Sequence, residues 1–129
     1  MKSYTDLEQS KKLAEILPLE SADGFYEAQI NPFTNKWEDI LFVGNEWASD
    51  EVVIPAWSLA ALYGILPNNK KETTTLSRGG MKIEPIEYLD NWWCEYKDNN
   101  YTKDFIVSAD NPIDACYEII IKLHELKML

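Results

Sequence analysis

His124 is the only histidine of the 129-residue chain, and Cys94 and Cys116 are its only cysteines. These residue types hold metals, activate nucleophiles and move protons near neutral pH. Their spacing rules out most of that chemistry. One histidine and two isolated cysteines make no zinc pattern. Cys116 and His124 stand two turns apart on one helix, too far for a thiol–imidazole hydrogen bond. His124 falls in the final turns of that helix, where a packing or helix-terminus role is expected. Cys94 lies in a strand pattern and Cys116 in a helix pattern, both among apolar neighbours. With no export signal, both are expected to be buried free thiols.

Carboxylates are the remaining candidates for acid–base work. Among 22 acidic residues, Glu38-Asp39, Asp50-Glu51 and Glu84 with Glu87 lie nearest one another. A glycosidase-type dyad needs two carboxyls facing one bond. Each of these pairs also reads as loop or strand-surface charge. No D-x-D-x-D-G calcium loop, glycine-rich phosphate loop or G-x-S-x-G elbow occurs. No cofactor and no metal are expected, and the expected class is non-enzymatic.

The net charge of −10 is uneven. Leu13–Asn69 holds nine acids and one base, Lys36, whereas Lys70–Lys103 holds six of each. No stretch is basic, so no nucleic-acid footprint is expected. The acidic half keeps the chain soluble or faces a basic partner. The longest uncharged run, Val52–Asn69, is broken by Pro55 and Pro67 and is too short to span a bilayer. Met1–Leu17 is polar and charged, unlike a signal peptide, and the expected location is cytoplasmic.

Three helices and several strands must carry these residues. Asp110–Leu129 is the clearest helix, with Asn111 as N-cap, Pro112 at the first position and acids in the first turn. At about 100° per residue, Asp114, Glu118, Lys122 and Glu125 form one narrow polar stripe, and apolar residues fill most of the rest. Thr5 and Glu8 match a capping box opening a helix that ends before Pro18. Gly24–Ile30 and Trp37–Val43 read as strands joined by the loop Asn31–Lys36, the second covered on both faces. Gly44–Glu51 reads as an acidic loop around Trp47. Gly79-Gly80 predicts a two-residue hairpin between Glu72–Arg78 and Met81–Tyr88. Trp92–Lys97 and Thr102–Val107 form a second hairpin around Asp98-Asn99-Asn100, with Trp92, Cys94 and Tyr96 on one face. Ile16-Leu17-Pro18 recurs as Ile65-Leu66-Pro67, but three residues are too few to predict an internal duplication.

Pro55–Leu66 is expected to be a helix without a single charge. Leu59, Leu62, Ile65 and Leu66 gather on a core side. The opposite side holds Trp57, Ala60 and Gly64, with Tyr63 at its margin. An exposed apolar side usually marks a contact site. Trp57, Ala60, Tyr63 and Gly64 are therefore the candidate interface, for a homodimer or a protein partner.

The element order, with Pro55-Ala56-Trp57-Ser58-Leu59-Ala60-Ala61-Leu62, Trp92-Trp93-Cys94-Glu95-Tyr96 and Ala109-Asp110-Asn111-Pro112-Ile113-Asp114-Ala115, resembles the small prophage-associated proteins grouped as the phage alpha-beta-alpha sandwich family. The resemblance implies a three-layer α/β/α sandwich and a mobile-element origin, and it transfers no functional residues. From the residues themselves, one α+β domain over 1–129 is expected. Its order is α-β-β-α-β-β-β(-β)-α, with a mainly antiparallel sheet and helices packed on it. The leading functional expectation is a prophage-encoded interaction protein. The alternatives are an acidic decoy for a nucleic-acid-binding protein and a small enzyme with an unrecognised carboxylate site.

Overall fold

The computed structural model describes residues 2–44, 53–68, 71–82, 88–98 and 104–129, with the backbone alone at 79–82 and 88–90. The chain is α+β and divides into two compact units, Ser3–Ala61 and Met1–Lys2 with Leu62–Leu129. Among the described residues the strands form two antiparallel three-stranded sheets, where a single sheet was expected.

The Ser3–Ala61 unit opens with helix α1, Leu7–Ala14. Its cap is Asp6 with Gln9, one residue beyond the expected Thr5–Glu8 box. The Asp6 carboxylate accepts from the Gln9 N–H at 2.8 Å, and the Asp6 N–H donates to the Gln9 side chain at 3.1 Å. Thr5 is drawn inward instead. It is fully buried, its hydroxyl meets the Ser10 hydroxyl at 2.7 Å, and its N–H donates to the Trp57 carbonyl at 2.9 Å. A buried hydroxyl with two partners outweighs an exposed cap that the next residue can supply equally well.

Strands β1 (Gly24–Asn31), β2 (Lys36–Val43) and β3 (Val53–Ala56) lie in the order β2-β1-β3. β1 and β2 pair along their whole length, from Gly24 with Val43 to Asn31 with Lys36. The described β3 residues pair with Gly24–Glu27, and α1 packs on β3. Gly24 is held to hydrogen by a close approach, since an added Cβ would lie 2.7 Å from the Tyr4 ring. β3 corrects the expected Pro55–Leu66 helix. Val53 and Ile54 are β-branched, and the residue before a proline is pushed to extended backbone. Pro55 sits on an edge strand, where its missing N–H breaks no ladder. Helix α2 therefore starts only at Leu59 and runs to Ile65.

In the second unit, β4 (Glu72–Lys82), β5 (Tyr88–Asp98) and β6 (Phe105–Ala109) lie in that order. β4 runs straight through Gly79-Gly80, which pair with Asn91 and Asp90. A turn at the glycines would place Arg78 opposite Met81. The long register instead sets Arg78 opposite Trp92, with its guanidinium 5.9 Å from the ring centre. Pro85, Glu84 and Glu87 lie outside the described residues, as do Trp47, Asp50, Glu51 and the Asn99-Asn100 turn. The two sheets have different orders, with the first strand central in one and the second in the other, so the repeated Ile-Leu-Pro does not mark two copies.

Helix α3, Pro112–Glu125, matches its expected start: the Asn111 side chain accepts from the Asp114 N–H at 2.9 Å, and Pro112 occupies the first turn. It packs on β5 and β6 through Ile113, Ala115, Cys116, Ile119, Ile120 and Leu123, all buried. Glu118, Lys122 and Glu125 are exposed, as their stripe predicts. Asp114 at the head of the stripe is bound by the Lys2 ammonium at 2.8 Å. The Lys122 ammonium lies 5.4 Å from the Phe105 ring centre.

Candidate interaction surface

The structure separates the four residues expected to form an interface. Trp57 precedes α2 and is 0% exposed. Its indole N–H donates to the Ser21 hydroxyl at 3.0 Å, and its backbone N–H to the Thr5 hydroxyl at 3.2 Å. It is a core residue and no anchor for a partner. Ala60 and Gly64 are exposed on α2. The Tyr63 ring is partly exposed, and its hydroxyl donates to the Thr74 carbonyl at 3.2 Å. The error follows from the helix start: with Trp57 outside the helix, stepping at 100° from Pro55 assigns it a face it does not have.

Exposed apolar area gathers elsewhere, on the β1–β2 hairpin. Ile30 is 51% exposed, Phe33 96%, Trp37 70% and Val43 80%. β2, expected to be covered on both faces, is exposed from Lys36 through Ile40. Among the described residues β3 pairs with β1 as far as Glu27, and Ala28–Asp39 form a two-stranded ribbon. Such a ribbon has little apolar burial of its own to hold it. Its turn is built locally instead. The Asn31 side-chain oxygen accepts from the Phe33 N–H at 2.9 Å, and the Asn31 carbonyl accepts from the Asn35 N–H at 2.8 Å. Asn35 takes a left-handed φ of 55°, which asparagine tolerates. The Asn31 amide also donates to Glu38 at 3.0 Å, tying the turn to β2. At the ribbon's base, Phe25 stacks on Phe42 with ring centres 5.3 Å apart.

Ile30 is the cross-strand partner of Trp37, so the two share a face. Phe33 stands at the tip between them. Glu38 and Asp39 lie along the same ribbon, Glu27 adjoins it, and Lys36 is its only basic residue. The surface is thus aromatic and acidic together. A signal for it was present in the sequence: Phe33 sits in an Asn-Pro-Phe-Thr-Asn turn, where no strand alternation can bury it, and two adjacent acids interrupt β2.

Cys94 and Cys116 are free, buried and in hydrogen-bond contact with each other between β5 and α3. That bond and burial push the Cys94 thiol well above its ordinary range, which makes it a poor nucleophile. Both thiols are expected to react with Ellman's reagent only as fast as the protein unfolds. Thermal melting should agree with and without reductant; a large fall in melting temperature on reduction would show a bridge instead. The Tyr96 hydroxyl is raised by burial and by its 2.7 Å bond to Glu72. His124 is exposed. A shallow depression of about 410 Å³ is lined by Glu95, Lys97, Asp104, Phe105 and Ile106, where Glu95 and Lys97 pair at 2.8 Å. Among the described residues, no group of three or more His, Cys, Asp or Glu is placed to hold a metal ion. No described helix is long and apolar enough to cross a membrane.

No protein-family model, curated protein or solved structure matches the chain.

Proposed function

We propose that this chain is a protein-interaction module whose contact surface is the β1–β2 hairpin. The observation that carries this reading is the exposure of Ile30, Phe33 and Trp37 together at the tip of the hairpin. A contiguous apolar surface held in water costs stability and usually marks a site of association. Trp is among the residues that dominate contact energies. The carboxylates of the ribbon are interrupted by these side chains, so a mixed apolar and acidic contact fits better than a decoy presenting an unbroken phosphate-like row. The prophage origin implied by the shared order of elements belongs to the same proposal and rests on that order alone.

The test is a photo-crosslinking amino acid at position 33 of the full chain, expressed in the cells of origin, with the same label at Glu118 on α3 as control. A discrete protein adduct is expected at position 33 and not at 118, and it should vanish with Trp37→Ser. Equal labelling at both positions, or none at 33, overturns the proposal.

A further inference from the structure

We infer that the free edge of β2 takes up an extended segment of another protein as a fourth strand, and that this segment carries two adjacent basic residues flanked by apolar ones. The inference rests on the hairpin being the contact surface and names what binds there.

β2 is an edge of its sheet, and among the described residues no strand pairs with its outer side. In an antiparallel pair, alternate residues turn their N–H and C=O groups away from the partner strand. Eight residues, Lys36–Val43, therefore present a row of backbone donors and acceptors on the side away from β1. An extended peptide satisfies such a row with its own main chain, and side-chain pairing then sets specificity. The side chains along this edge prescribe the partner. One face shows Trp37, Asp39, Leu41 and Val43, and the other Lys36, Glu38, Ile40 and Phe42. Apolar residues of an incoming strand belong beside Trp37, Ile40, Phe42 and Val43. Basic residues belong beside Glu38 and Asp39. Those two neighbours point to opposite faces, so their partners are also neighbours in sequence.

The same acids argue against a second copy of this chain. Charged side chains on an edge are a known guard against self-pairing, and dimerisation would bring together two chains of net charge −10. A basic strand meets complementary charge instead, which speeds its encounter and makes binding salt-dependent.

The probe is a short synthetic peptide with a central Lys-Lys pair flanked by valine and threonine, titrated into the full chain and followed by fluorescence anisotropy and amide hydrogen exchange. The expected result is binding that weakens as salt is raised, with new protection of alternate β2 amides. Methylating alternate peptide nitrogens should weaken binding by about tenfold or more, about 1.4 kcal/mol. A Glu-Glu version of the peptide should not bind. The double variant Glu38→Lys with Asp39→Lys should reverse that preference, and Trp37→Ser should weaken both; circular dichroism confirms that each variant keeps its fold. Equal binding of the methylated peptide, binding without protection in β2, or no binding at all overturns the inference. So does concentration-dependent self-association that protects the same amides without peptide. An adduct at position 33 in cells combined with unprotected β2 leaves the hairpin as a contact surface and removes strand addition alone.

Discussion

Trp57→Ala is expected to lose about 3–5 kcal/mol of stability, as for other buried tryptophans truncated to alanine. The ring is fully enclosed, and its removal leaves a cavity that a tightly tied backbone cannot collapse to fill. The Trp57 carbonyl accepts from the Thr5 N–H, and its own N–H donates to the Thr5 hydroxyl, so the main chain there is fixed from both sides. The variant also strips Ser21 of its indole donor. Trp57→Phe keeps most of the apolar volume and loses the indole hydrogen bond, for a cost of about 1–2 kcal/mol. Urea unfolding of the three proteins, followed by circular dichroism, measures the series. A Trp57→Ala protein within about 1 kcal/mol of the parent would show that the ring is not packed. It would also reopen the case for Trp57 as a surface anchor.

The second large effect is expected at Asp23, which precedes β1 and organises the entry to α2. Its carboxylate accepts from the Ser58 N–H at 2.8 Å and from the Ser58 hydroxyl in a short bond. The Ser58 oxygen in turn accepts from the Ala61 N–H at 3.3 Å, the position expected of an N-cap. The Asp23 carbonyl accepts from the Gly44 N–H at 2.7 Å, at the end of β2. One residue thus fixes the start of a helix and the closing of a strand pair. Bonds to a charged acceptor are the stronger kind, each worth about 1.5–3 kcal/mol. Asp23→Ala should cost about 2–3 kcal/mol, allowing for the partial exposure of the site. Ser58→Ala should cost less, about 1 kcal/mol, because the Ser58 N–H keeps its acceptor. In a double-mutant cycle the two losses should be less than additive, because both remove the same hydroxyl–carboxylate bond. Strict additivity would show that the two side chains act independently and that the cap is not coupled to Asp23.

The role of Asp23 was invisible in the sequence, and the reason is separation. Ser58 stands thirty-five positions further along the chain, and nothing local to either residue announces the other. The same holds for Thr5. It carries a good capping pattern with Glu8, yet its side chain is spent on Ser10 and Trp57, and Asp6 with Gln9 closes the helix instead. The hairpin surface was half legible. Its strands and its turn follow from alternation and from Asn-Pro chemistry. That β2 is exposed from Lys36 through Ile40 does not follow from them, because Ile40, Leu41, Phe42 and Val43 have the composition of a buried strand.

What the sequence by itself determined are the features whose energetics are local. The α+β class, the β1–β2 hairpin, the capped start of α3, the facing of Cys94 and Tyr96 and the polar stripe of α3 all arise from contacts a few residues apart. Their hydrogen bonds and periodic faces are set within one turn or one strand pair. The tertiary structure alone decided the division of the described strands into two sheets, the passage of β4 through Gly79-Gly80, the late start of α2 after β3, the burial of Trp57 and the exposure of Trp37. Each of these is a choice between two locally acceptable states. Glycine fits a turn or a strand, proline opens a helix or sits on a sheet edge, and an apolar strand can be covered or bare. The difference is settled by which distant segment is present to pair with the chain or to pack against it, and that information lies in no window of neighbouring residues.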